Sequence, residues 1–113
     1  MKKSLLILFI VFFAMSSSVS ANVETSNVSV STYGHYHLHV DLWSYANDSV
    51  SIVIYSKNAS NQLTEVYRTY INLNQNTYSF HQLSVGYLNP GNYVVEANFN
   101  ALGVLDFASL QQY

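Results

Sequence analysis

The 113-residue chain has no cysteine, one proline, 50 % hydrophobic residues and only 9 % charged ones. These figures exclude a disordered tail, a coiled coil, a disulfide-stapled miniprotein and a nucleic-acid binder with a basic footprint. The formal charge of −2 is unevenly placed, because two of the four basic residues, Lys2 and Lys3, stand at the very start.

Residues 1–21 have the order of a secretory signal peptide. Lys2 and Lys3 form a positive n-region, residues 5–15 are almost wholly apolar, and residues 16–21 are small and polar apart from Val19. Val19 and Ala21 stand as the small residues before a cut between Ala21 and Asn22. The apolar run is too short for the ~20 residues of a membrane-spanning helix, and no cysteine follows it to carry a lipid. The expected product is residues 22–113, exported and free in the periplasm or the medium. Only Lys57 and Arg68 then face six carboxylates, a net charge of −4. Two separated cations do not hold a nucleic acid or an anionic bilayer, so neither is an expected partner. Without disulfides, this segment must supply its core by packing alone.

All ten tyrosines and twelve asparagines lie after the leader, a composition suited to half-buried pleated surfaces rather than helices. Residues 27–31 alternate as N-V-S-V-S. Residues 35–43 alternate for longer, with Tyr36, Leu38, Val40 and Leu42 on one face and His35, His37, His39, Asp41 and Trp43 on the other. The Y-A-N-D turn at 45–48 precedes a strand over 49–57, with Val50, Ile52 and Ile54 in phase. An N-A-S-N turn at 58–61 follows. Residues 62–73 read as a longer strand with Leu63, Tyr67, Thr69, Ile71 and Leu73 in phase and Val66 and Tyr70 opposite. Residues 77–83 place Tyr78 and Phe80 on one face, and 84–89 read as the longest connection. Residues 92–100 turn Tyr93, Val95, Ala97 and Phe99 inward, and 103–110 alternate less cleanly. About seven strands separated by turns predict an all-β, antiparallel, two-sheet β-sandwich in one domain over 22–113.

The sharpest local signal is Leu88-Asn89-Pro90-Gly91-Asn92-Tyr93-Val94-Val95. Pro90 and Gly91 build a tight corner, and Tyr93 stands where a sandwich's corner tyrosine places its ring in the core and its hydroxyl on upstream backbone. This L-x-P-G-x-Y-x-V run resembles the E–F connection of fibronectin type III and other immunoglobulin-like domains. With the Val50-Ser51-Ile52-Val53-Ile54-Tyr55 strand, the strand around Tyr67 and Tyr78-Ser79-Phe80, it is similar to small exported immunoglobulin-like proteins of unknown function from gut bacteria. A weaker similarity is to the C-terminal sorting modules of type IX secretion. In those modules a glycine follows the V-x-I-x-I-Y strand, where this chain has Asn58-Ala59-Ser60-Asn61. The resemblance implies an immunoglobulin-like sandwich and no particular activity.

His35, His37, His39 and Asp41 form the one constellation with metal chemistry. Side chains at i and i+2 of a strand project from one face about 6.5–7 Å apart, and neutral imidazole suits zinc or copper. The outer two imidazoles are too far apart to share an ion, so a site needs two of them and a ligand from a neighbouring strand, with His81 or Asp106 as candidates. The same pattern is also that of a solvated strand face where His stacks on Tyr, or of a pH-responsive surface.

No nucleophile motif, metalloprotease motif or phosphate loop is present, and the carboxylates are scattered singly, so no enzymatic activity is expected. The three N-x-S tripeptides starting at Asn27, Asn47 and Asn58 read as turn and edge chemistry in a bacterial protein. Two classes of function remain. One is a binding module for a protein or carbohydrate, using a Tyr- and Asn-rich surface on which Trp43, Tyr45, Tyr55, Tyr70 and Tyr87 are the candidate contacts. A solvent-exposed row of aromatics would favour a sugar platform. The other is a subunit that self-associates through poorly defended strand edges.

Overall fold

The computed structural model describes residues 22–113, so the leader read over 1–21 lies outside the described residues. Seven strands form, β1 (Asn22–Val30), β2 (Gly34–Ser44), β3 (Asp48–Lys57), β4 (Leu63–Leu73), β5 (Thr77–Leu88), β6 (Gly91–Phe99) and β7 (Gly103–Gln112). They make an all-β sandwich of two antiparallel sheets, with no helix among the described residues. One sheet has the order β1-β6-β3-β4 and the other β5-β2-β7. The first strand therefore pairs with the sixth and the last with the second, exchanging the chain ends between the sheets.

The core is where alternation is strictest. Tyr36, Leu38, Val40 and Leu42 of β2 face Val50, Ile52 and Ile54 of β3 and Tyr93, Val95, Ala97 and Phe99 of β6, all buried in one cluster. The turn residues satisfy backbone across the sandwich ends. Asp48 accepts hydrogen bonds from the Asn100 and Ala101 amides at 2.9 and 3.0 Å, and Asn58 Oδ1 accepts those of Ser60 and Gln62 at 2.9 Å each. The Tyr93 hydroxyl donates to the Asn89 carbonyl at 2.6 Å, as the corner motif requires, and Tyr36 does the same to Thr32 at 2.6 Å.

Three β-bulges break the simple phase. Val66 is the extra residue of β4, Val85 of β5 and Asp106 of β7. The first moves Leu63 out of phase with Tyr67, which is why Leu63 is exposed rather than inward. The second lets β5 continue to Leu88, with Gly86 at φ 102°. Residues 84–89, read as the longest connection, are thus mostly strand, and the longest connection is 58–62.

Between the sheets, β1 closes on β7 through side chains rather than a ladder. The Asn22 amide donates to Gly103 O and accepts from Gly103 N, both at 2.9 Å, and Glu24 Oε1 accepts from Leu105 N at 3.1 Å. Asn22 in effect completes one rung of a strand that β7 lacks. Asn22→Ala removes both bonds, and at roughly 0.5–1.5 kcal/mol each it is expected to cost about 1–3 kcal/mol. Urea unfolding reads this as a lower midpoint, with faster amide exchange at Gly103; an unchanged midpoint contradicts the seam.

Candidate functional site

The alternation of β2 dictates the site. With Tyr36, Leu38, Val40 and Leu42 inward, His35, His37, His39, Asp41 and Trp43 stand on the outer face of the three-stranded sheet. The ladders put β5 and β7 residues beside each of them. Tyr87 lies opposite His35, Ser84 and Gln111 flank His37, and Gln82 and Ser109 flank His39. Phe80 and Phe107 flank Asp41, and Tyr78 and Val104 flank Trp43. Tyr113 extends β7, its amide donating to the His35 carbonyl at 3.0 Å. Two of the bulges matter here. They reset the phase of β5 and β7 so that Tyr87 as well as Ser84, and Val104 as well as Phe107, face outward.

The rings form two groups. One is a continuous series in which Tyr33 stacks on Tyr87 (5.6 Å between centroids), Tyr87 meets His35 edge-on (5.1 Å), and Tyr113 covers His35 (4.1 Å) and His37 (3.6 Å). It continues through His37 and His39 (5.6 Å) to Phe80 (5.6 Å). The second group is Trp43 with Tyr45 at 6.1 Å and Tyr78 at 5.0 Å. With Val104 these three line an open cleft of about 290 Å³. Phe80 is 57 % exposed and Phe107 48 %, values that place both rings outside the core.

The electrostatics are one-sided. β2, β5 and β7 contain no Lys or Arg, and their only formal charges are Asp41 and Asp106. Elsewhere the carboxylates are engaged: Arg68 pairs with Glu65 at 2.8 Å, holding that carboxyl below its usual range, and Tyr55 donates to Glu96 at 3.0 Å.

The imidazoles do not gather as a metal cluster. Among the described residues no three His, Asp or Glu side chains are placed to hold one ion. Tyr113 packs over both His35 and His37, and His37 Nδ1 lies 3.4 Å from the Gln82 amide. His35 Nδ1 and His39 Nε2 are covered and have no hydrogen-bond partner. His81 pairs with Val40 and so faces the sandwich interior, where its ring contacts Ser79 Oγ. Asp106 is the bulged residue of β7. His81 thus does not join the imidazoles on the outer face, and neither it nor Asp106 makes a three-ligand group with them.

Burial, and then the neighbouring His39 and His35, hold the pKa of His37 below its ordinary 6.5; burial alone does so for His81. A base with a depressed folded pKa favours the neutral fold, and the unfolded chain takes up protons first as pH falls. The stability these groups contribute is thus complete above about pH 6.5 and is lost as the pH falls through their lower folded values. The expected result is a melting temperature that drops on acidification below that point, with a smaller drop in His37→Gln and His81→Gln. Equal drops in all three proteins would contradict it.

Trp43, Tyr45 and Tyr87, three of the five aromatic contacts read from the sequence, belong to this face. Tyr55 and Tyr70 lie on the outer face of the other sheet, where Tyr55 pairs with Val94 and Tyr70 with Ser51. Tyr33, Tyr78, Phe80, Phe107 and Tyr113 are the aromatics the sequence reading missed. A larger groove of about 380 Å³ opens beside β4 and β5, lined by Val66, Val85 and Tyr87, by Ser56 and Lys57 at the end of β3, and by the corner over 88–93.

No family model matches the chain, and no curated protein matches it either.

Proposed function

We propose that the protein is a small, exported, non-catalytic binding module of immunoglobulin-like build that takes its ligand on the outer face of the β5-β2-β7 sheet. That face carries two groups of rings, one running from Tyr33 through the imidazoles to Phe80 and the other around Trp43, interleaved with Ser and Gln side chains and without a Lys or Arg. Contiguous exposed aromatic surface is uncommon on a soluble monomer and marks interaction sites.

The immunoglobulin-like reading is supported by strands β2 to β6. β2 and β5 share one sheet, β3, β4 and β6 share the other, and the corner tyrosine precedes the body of β6. The chain ends depart from that pattern, in which the first strand pairs with the second and the last with the one before it. A non-catalytic role is supported by the carboxylates: Glu24, Asp48, Glu65 and Glu96, four of the six, each hold a structural hydrogen bond. Export rests on the leader sequence.

A second reading, self-association, is favoured by β5. It is a sheet edge without a charged residue or a proline, whereas natural edges are commonly defended by both. Size-exclusion chromatography with light scattering across a wide range of concentration separates the two readings. The binding module is expected to stay monomeric throughout; large concentration-dependent species would overturn it in favour of assembly.

A further inference from the structure

The ligand class follows from the chemistry of the Trp43 end of the face. Trp43 forms the floor of the cleft, Tyr45 and Tyr78 rise beside it with rings at 83° and 55° to the indole, and Val104 closes one side. Such a cleft takes a compact body that is apolar on its faces and polar at its rim. A pyranose has this form, with axial C–H groups on its faces and hydroxyls around its edge. Asp41 is two residues along β2 on the same side, about 6.5–7 Å away. Its carboxylate can accept hydroxyl hydrogens, and charged acceptors make the stronger hydrogen bonds.

Two further observations set the polymer and its charge. The far end of the other ring group, around Tyr87, His35 and Tyr113, lies eight residues back along β2, roughly 26 Å at strand rise. The stretch between them is lined by Gln82, Ser84, Ser109 and Gln111 and, beside Asp41, by the exposed rings of Phe80 and Phe107. A protein partner is usually gripped by one central, desolvated anchor cluster, whereas rings interleaved with polar side chains along the whole length of a strand match an extended chain of repeated units. The face carries Asp41 and Asp106 and no cation, so an anionic polymer would meet only repulsion.

We infer that the cleft formed by Trp43, Tyr45, Tyr78 and Val104 is a subsite for one sugar unit of a neutral polysaccharide, with Asp41 receiving its hydroxyls and the chain running along β2 toward Tyr87. This rests on the assignment of the outer β5-β2-β7 face as the binding surface.

The test is affinity electrophoresis of the purified protein in gels containing a mixed-linkage β-glucan, xyloglucan, galactomannan or soluble starch, with polygalacturonate as the anionic comparison. Retardation is expected in at least one neutral gel and not in polygalacturonate. The Tyr45→Ser/Tyr78→Ser protein, altered only at exposed rings, is expected to lose affinity by roughly tenfold or more, as for loss of anchor residues, with its melting temperature unchanged. Tyr70→Ser, on the opposite sheet, should migrate like the parent. Absence of retardation in all four neutral gels, retardation by polygalacturonate alone, or equal retardation of the Tyr45/Tyr78 variant overturns the sugar assignment. A monomeric protein that fails this test leaves the binding-module reading standing, whereas concentration-dependent multimers remove that reading itself.

Discussion

Gly103→Ala is expected to destabilise the protein by about 2–3 kcal/mol, within the range for overpacking a full core. A Cβ at this position would lie 2.2, 2.4 and 2.8 Å from Cδ2, Cε2 and Cγ of Phe99, far inside van der Waals contact. The clash is steric and not conformational, since Gly103 sits in ordinary strand backbone at the start of β7. Phe99 is fully buried at the end of β6, so its ring has no solvent to swing into. Gly103 cannot easily retreat either, because Asn22 grips both its N–H and its C=O. Shrinking the obstacle should therefore help: Phe99→Leu and Gly103→Ala together should cost less than the sum of the two single changes, by about 0.5–3 kcal/mol of coupling. Urea unfolding of the four proteins reads the cycle. An unchanged midpoint for Gly103→Ala, or strict additivity, would contradict the contact.

Removing the hydroxyls of Tyr36 and Tyr93 together is the second large effect. Both rings are buried, both hydroxyls donate to the carbonyl four residues earlier at 2.6 Å, and the two side chains belong to the same core cluster. Each bond locks the segment leading into its strand, β2 for Tyr36 and β6 for Tyr93. Burial also pushes the Tyr93 hydroxyl pKa up, so it stays protonated and a donor at neutral pH. In Tyr36→Phe/Tyr93→Phe the packing is kept while two carbonyls lose a partner. At roughly 0.5–1.5 kcal/mol per bond the double variant is expected to lose about 1–3 kcal/mol. Thermal unfolding should show the drop, whereas Tyr70→Phe, whose ring is exposed, should melt like the parent. A double variant as stable as the parent would reduce both corners to packing alone.

The strands most legible in the sequence are those whose two faces meet different environments without interruption. β2 and β6 alternate between core and outer face over nearly their whole length, and in β3 Val50, Ile52 and Ile54 keep the inward phase although Val53 on the other face is buried too, so these inward residues are identifiable by period. β5 and β7 were harder because a bulge inserts one residue and reverses the phase midway. In β5, Tyr78 and Phe80 share a phase that Leu83 and Val85 do not. That conflict was visible in the sequence and is resolved by the smaller residues: Ser79 and His81 go inward with Leu83, and the aromatics go out. Which strand β1 joins was not legible at all, because pairing across sheets depends on how Asn22 and Glu24 meet β7, not on local pattern.

The candidate face was half legible for the same reason. His35, His37, His39 and Trp43 could be placed together from β2 alone. Their neighbours Tyr78, Phe80, Phe107 and Tyr113 come from two other strands, and only the register set by the bulged ladders brings them alongside. The register also sends His81 to the interior, separating it from the imidazoles it was expected to join.

Amide chemical-shift mapping of the isotope-labelled protein shows whether ligand sits on the outer face of the β5-β2-β7 sheet. The soluble neutral polysaccharides, a peptide mixture and anionic vesicles would be added in turn. The shifts are expected to fall on the outward residues of 35–43, 78–87 and 104–113, on the aromatic and imidazole face of the β5-β2-β7 sheet. Shifts centred instead on Tyr55, Arg68 and Tyr70 of the other sheet, or no shift with any of these probes, would contradict that placement.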